Sequence, residues 1–298
     1  MKKTLLVFLL ISELLISQKT SIITVLGTVQ DGGLPHIGCE KKCCINSSSD
    51  LKVTSLGLSL PDNEGFYLFE ASPDFSDQLN YMNTKYKSSF NGVFLTHAHI
   101  GHYTGLMYLG KEALGAKNTP VYAMSRMSNF LIKNGPWSQL VSQSNIELIN
   151  LNNDQSYNIS DDISVKPVLV PHRDEFSETV GYYIYGSQKT AFFLPDIDKW
   201  SSWPTSLKEI VKSTDFLFID ATFYDNSEIN YRPVESIPHP FVIETMKTLK
   251  SLSKKDKNKI FFIHMNHTNS MLDPNSEIAL RVIREGYNIA KIGQTFEL

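Results

Sequence analysis

The stretch LTHAHIGHYTG at 95–105 constrains this chain more than any other segment. It follows the apolar run 92–96 (GVFLT), which reads as a short buried strand, and precedes a segment, Tyr103 to Leu114, that reads as a helix. At the C-terminal end of a strand the chain opens into a loop. There His97 and His99, two residues apart, can point the same way, and His102 at the head of the next helix can reach the same centre. A lone histidine is more often a structural residue satisfied by a hydrogen bond. Three within six residues at a strand–helix junction point to a metal, because imidazole nitrogen suits zinc.

The remainder of the chain reads as alternating strands and helices. Strands are expected at 21–27, 55–61, 66–71, 120–124, 146–151, 163–171, 179–185, 189–195, 216–222 and 259–265, with a terminal strand or two. Helices are expected over Asp74 to Lys85, Arg126 to Lys133, 205–213, 240–252 and 276–285, and the basic run Lys254 to Lys259 reads as a solvated helix end and turn. Two β-rich blocks flanked by helices predict two sheets packed face to face with helices outside. No linker, repeat or low-complexity tract divides the chain. At 298 residues, 42% hydrophobic and 20% charged, it has the composition of a globular protein rather than a disordered or fibrous one. A net charge of −3 supplies no basic field, so nucleic acid is not expected as a partner.

Lys2 and Lys3 precede an apolar stretch, Leu5 to Leu15, interrupted by Ser12 and Glu13. This fits a secretory signal peptide over 1–18, with the mature domain at 19–298, and predicts an exported protein, periplasmic or secreted. The run falls short of the ~20 apolar residues a membrane span needs, so no stable membrane insertion is expected after processing. The alternative is a buried N-terminal helix or strand.

The cluster at 97–102 resembles the His-x-His-x-Asp-His signature of the metallo-β-lactamase superfamily. The resemblance implies a four-layer αββα sandwich, an α/β fold. It also implies further ligands at strand ends, and each has a match: His172 after VKPVLVP, Asp196 after AFFLP, and His264 in KIFFIHMN. One metal would sit on His97, His99 and His172; a second would sit on His102 and His264, with Asp196 bridging. The family's Asp is Gly101 here, and glycine supplies no ligand. One tight and one weaker ion are therefore expected, with zinc first and iron or manganese open; a water in the gap, or a replacement ligand from elsewhere in the chain, is the alternative. The segments GTVQDGGLPHIGC, VPHRDEFSETVGY, FFLPDIDKW and HMNHTN are similar to those of the pyrroloquinoline quinone biosynthesis protein B family. That family keeps the Asp and has an eroded first His pair, the reverse of the pattern here.

Cys39, Cys43 and Cys44 fall within six residues in the loop after the first strand. A related branch, the cyclic phosphodiesterases of phosphonate breakdown, carries a structural zinc on three Cys of this loop and a His three residues after the last active-site His. His267 stands three after His264, so Cys39, Cys43, Cys44 and His267 are candidates for such a site. A disulfide with one free thiol, or simple buried thiols, are the alternatives. Hydrolysis also needs a proton for the leaving group. The strand LFIDATF at 217–223 resembles a segment of tRNase Z in which an acidic residue orients a His, which makes Asp220 and His239 a candidate pair. A capping His and a structural Asp are the alternative. Asp31 and His36, in the Gly-rich loop QDGGLPH, are placed at the pocket rim.

These readings converge on a metal-dependent hydrolase. Zinc lowers the pKa of bound water to ~7 and so makes a nucleophile; Asp196 would orient it and His239 would donate the proton. A small molecule, a phosphodiester or other ester, is the expected substrate. Two rivals remain: an oxygenase or carrier like the quinone-biosynthesis family, and a non-catalytic metal-binding protein.

Overall fold

The computed structural model describes residues 20–45, 47, 51–173, 175–229, 233 and 237–298; the expected leader at 1–18 lies outside them. Fourteen strands are present among these residues. Those of the N-terminal half are β1 (Ile22–Gly27), β2 (Ser55–Ser59), β3 (Phe66–Phe69), β4 (Phe90–Phe94), β5 (Thr119–Met124) and β6 (Ile146–Leu151). Then follow β7 (Tyr157–Asn158), β8 (Ser164–Leu169), β9 (Val180–Tyr185), β10 (Thr190–Leu194), β11 (Phe216–Asp220), β12 (Ile260–Ile263), β13 (Asn288–Ile289) and β14 (Thr295–Glu297). They form two seven-stranded sheets, ordered β14-β1-β2-β3-β4-β5-β6 and β13-β12-β11-β10-β9-β8-β7. The last strand returns to the first sheet and pairs antiparallel with β1.

Alternation along each strand builds three apolar layers. Phe94 of β4 points between the sheets, with Phe69, Tyr182, Phe193 and Phe218, while its neighbours Val93 and Leu95 point outward. In β10, Ala191 and Phe193 face the inter-sheet core and Phe192 and Leu194 face the outer helices. Strands buried on both faces read as continuous apolar runs, which is why FFL and FLFI carry no polar alternation. The inter-sheet layer is largely aromatic: Phe94 stacks on Phe69 at 5.0 Å and on Tyr122 at 4.2 Å, ring centre to ring centre. Truncating Phe94 to Ala would cost about 3–5 kcal/mol. The two sheets are also pinned to each other where Tyr182 Oη donates to the Leu95 carbonyl at 2.5 Å.

The outer faces are covered by amphipathic helices, among them Phe75–Tyr86, Ser125–Lys133 and Glu277–Arg284. The helix expected over Tyr103 to Leu114 is instead two short pieces, Ile100–Tyr103 and a 3-10 segment Thr104–Leu109. Gly105 explains the break in part. It lies so close to the Ala71 and Ser72 carbonyls that no side chain fits. A short helix, Trp137–Ser142, was not foreseen. No helix among the described residues is long and apolar enough to cross a membrane.

The pairing directions decide where polar residues collect. β3 to β6 run parallel, as do β10 to β13. β1 and β8, each two antiparallel steps away, share those directions. The C-terminal ends of β1, β3, β4, β8, β10, β11 and β12 therefore open on one side, where open α/β sheets place their sites.

Candidate metal centre

Eight imidazole or carboxylate side chains converge in one largely buried cluster, seven of them from the loops that follow those strand ends and His239 from just before the helix Val242–Thr248. His97, His99 and His172 bring three ring nitrogens within 4.8 Å of one another. Asp31, His102, Asp196 and His264 form a second group on the same criterion, and His172, Asp196 and His239 a third. Asp196 is the hub. Its Oδ2 lies 2.9 Å from His102 Nε2, 3.3 Å from His264 Nε2 and 3.5 Å from His97 Nε2. Its Oδ1 lies 3.3 Å from His239 Nδ1 and 3.8 Å from His172 Nε2.

Each ring is held from behind, which fixes which nitrogen faces the cluster. Thr96 Oγ1 donates to buried Glu70 at 2.5 Å and so must accept from His97 Nδ1, 2.9 Å away. That leaves His97 Nε2 bare, 2.8 Å from His99 Nδ1. The far nitrogen of His99 meets Glu175 at 3.3 Å. His172 Nδ1 meets Asp198 at 3.2 Å, and His102 Nδ1 meets Glu70 at 3.1 Å. On the other sheet, Thr222 Oγ1 donates to Asp220 at 2.8 Å and lies 3.1 Å from His264 Nδ1. His239 Nδ1 lies 2.8 Å from the other oxygen of Asp220.

Backbone strain accompanies the cluster. His264 (φ 63°) and Glu70 (φ 80°) are non-glycine residues in the left-handed region, and both are fully buried. Strain of this kind persists where the surroundings over-determine it, as at sites.

The electrostatics are those of a cation site. Burial disfavours charge on His97 and His99, pulling both below the ordinary histidine range, so each is a neutral donor. Burial opposes charge on His102 too, but Glu70 and Asp31 outweigh it and hold the ring well above that range. Burial would likewise raise Asp196, yet the surrounding imidazoles keep it well below the usual carboxylate range. His239 is raised, because Asp220 and Asp196 overcome its burial. Two atoms aimed into the cluster, His172 Nε2 and Asp196 Oδ1, have no hydrogen-bond partner among the described residues. Buried orphans of this kind fit a bound ion, and the nitrogen–carboxylate donor set suits zinc, iron or manganese.

All six residues expected as active-site ligands are in the cluster, together with His239, and Asp220 backs His239 from behind. Asp31 is also there, rather than at the rim. Its Oδ1 lies 3.1 Å from His102 Nε2 and 3.3 Å from His264 Nε2. The expectation of a weaker second ion rested on a missing carboxylate at Gly101, and a carboxylate is present from elsewhere in the chain. Sequence reasoning also missed the outer partners Glu70, Thr96, Asp198 and Thr222. Only Asp198 gives a local hint, two residues after Asp196.

The cysteine loop forms a separate, more open group. Cys39, Cys44 and His267 offer donor atoms within 4.8 Å of one another. Cys43 is not part of that group, although its Sγ lies 3.9 Å from that of Cys44. Two adjacent residues of one helical turn cannot readily aim both side chains at one point. Burial, with His36 and Lys41 nearby, lowers His267 to about 4, so its ring is neutral. His36 stacks on that ring at 4.3 Å.

Comparison with known proteins agrees with this geometry. Residues 66–265 match the family described as Beta-lactamase superfamily domain. The chain is 22% identical over 306 residues to coenzyme PQQ synthesis protein B of Methylorubrum extorquens strain PA1, covering 93% of this chain and 99% of that protein. The crystal structure of Zn(2+)-bound PqqB from Methylobacterium extorquens superposes with a TM-score of 0.74 at 21% identity, covering 93% of this chain and 100% of that one. A diphosphatase of the PhnP family superposes at 0.67 with 23% identity, covering 93% and 97%. The strand-end ligand cluster, the two sheets with outer helices and the family match together place the chain in the β-lactamase superfamily, on its metallo-β-lactamase fold.

Proposed function

We propose that the chain is a metal-dependent hydrolase of a phosphodiester or other small ester. The observation that carries this reading is Asp196, whose two oxygens face both groups of imidazoles and the Asp220–His239 pair at once. His97, His99 and His172 would hold one ion; His102, His264 and Asp196 belong to the other group. An ion held there would supply Lewis-acid chemistry and a water of pKa ~7. Asp196 would orient the imidazoles that its two oxygens face. Asp220 holds His239 by one nitrogen and favours its protonated form, the form that can give a proton to a leaving group. The similarity to a PhnP-family diphosphatase supports phosphoester chemistry. Cys39, Cys44 and His267 would hold a separate structural zinc.

The test is a panel of phosphodiester, carboxylic ester and β-lactam substrates, with chelator and with added zinc. Hydrolysis that chelation abolishes and zinc restores is expected. His97→Ala and His99→Ala should abolish it with the fold retained; full activity in either would sink the assignment. A second reading, a role in quinone cofactor synthesis, draws on the similarity to PqqB across 93% of the chain. Iron in protein purified without added metal, together with oxygen consumption, would favour it over hydrolysis.

A further inference from the structure

We propose that Asp31 is a metal-bearing side chain of the second group, and that Gly101 is glycine in order to admit it. This rests on the metal-site reading above and goes beyond it in assigning a ligand from outside the histidine motif. The two residues are 70 positions apart, yet they compete for one space. A Cβ built on Gly101 would collide with Asp31 Oδ1 and lie 2.7 Å from its Cγ. The carboxylate and the Cα of Asp31, itself 2.7 Å from that Cβ, thus occupy the volume that any side chain at 101 would fill. Glycine here is the vacancy a relocated carboxylate requires, rather than a ligand simply lost.

The carboxylate is aimed as a ligand. Asp31 Oδ1 approaches His102 Nε2 and His264 Nε2, at 3.1 and 3.3 Å. These are the same two atoms that Asp196 Oδ2 approaches from the other side. The outer nitrogen of His264 is engaged by Thr222 and that of His102 faces Glu70 at 3.1 Å, so Nε2 is the atom turned to the cluster in each. Two carboxylates and two imidazoles make a neutral set with a divalent cation, of the donor types that zinc, iron and manganese accept. The loop is placed by backbone bonds before any ion arrives. Gln30 N donates to the Met265 carbonyl at 2.9 Å, and Met265 N to the Thr28 carbonyl at 2.9 Å. Asp31 therefore follows a two-bond clamp to the residue next to His264.

The test is zinc stoichiometry and affinity by equilibrium dialysis with elemental analysis, on the full chain at fixed free zinc. Wild type, Asp31→Asn, Asp31→Ala and Gly101→Ala are compared, with circular dichroism as the check on folding. Asp31→Ala should bind one zinc fewer per chain than wild type. Asp31→Asn, nearly isosteric, should bind that zinc at least ~10-fold more weakly, since loss of even an outer partner of a ligand costs that much. Gly101→Ala should also lose it, because the new methyl pushes away both the Asp31 backbone and its carboxylate while removing no donor. Any zinc at the cysteine group is common to all four and cancels in the differences. Unchanged stoichiometry and affinity in folded Asp31→Ala or Asp31→Asn would overturn the inference, as would a wild type with no such zinc. A chain that binds this zinc through Asp31 and hydrolyses nothing would keep the inference and sink the hydrolase reading.

Discussion

Each sheet contributes a buried carboxylate backed by a threonine, and the two devices differ in what they hold. On the first sheet Glu70 accepts from Thr96 and faces His102, and Thr96 in turn sets His97. On the second sheet Asp220 accepts from Thr222 and faces His239, and Thr222 lies against His264. The connectivity is the same: one carboxylate, one hydroxyl, two imidazoles. The first device orients one ring of each metal group. The second orients one metal-facing ring and one ring placed to move a proton. A single local arrangement can thus make either a pair of ligands or a ligand and an acid, depending on where its second ring stands.

Breaking the second device should have the larger effect on turnover. Asp220→Asn removes the charge that keeps His239 protonated, and should lower kcat by ~10²–10⁴-fold, the usual worth of a positioned acid. It should cost at most one ion in metal content. The sign of the pH effect is fixed. With the folded pKa of His239 raised, the active protonated form persists to higher pH and is lost as pH rises through that value. In Asp220→Asn the alkaline limb of the rate profile should move to lower pH. An unmoved limb would separate His239 from proton transfer.

Glu70→Gln should act through binding. It reaches His97 by way of Thr96 and His102 without an intermediary, so metal affinity in both groups should fall by ~10–100-fold. Saturating zinc should recover much of the activity, which it should not do for Asp220→Asn. If zinc rescues both variants equally, the distinction between the devices is lost. Thr96→Val and Thr222→Val are gentler. Each strands a buried imidazole N–H at a cost of ~1–3 kcal/mol in stability, read by urea unfolding of the metal-free chain. Glu175→Gln should do least, under ~10-fold in affinity, because Glu175 is half-exposed and water can replace it at His99.

The apolar strands could be read from sequence because burial on both faces leaves unbroken runs such as AFFL and FLFI. The ligands His97, His99, His102, His172, Asp196 and His264 could be found because each stands just beyond such a run. Asp31 could not be recognised in the same way. Its neighbours are Gly32 and Gly33, and its partner in space is Gly101, with nothing in the local pattern to join them. Glu70 and Thr96 likewise meet only because β3 and β4 pair side by side in parallel. The expected long helix after His102 failed for the same kind of reason. Gly105 abuts backbone from residues 71 and 72, a contact that helical periodicity over 103–114 does not encode.

The donors are divided between the two halves of the sandwich. His97, His99, His102 and Asp31 follow strands of the first sheet, while His172, Asp196 and His264 follow strands of the second. Neither sheet alone completes either group, so an ion that fills the cluster rivets one half of the molecule to the other. Its binding energy becomes cohesion between the sheets: about 2.7 kcal/mol when free metal stands at 100 times its Kd. Metal supply would then set the lifetime of the folded chain as well as its chemistry. Starved of metal, the protein would hold its two halves together chiefly by the aromatic seam.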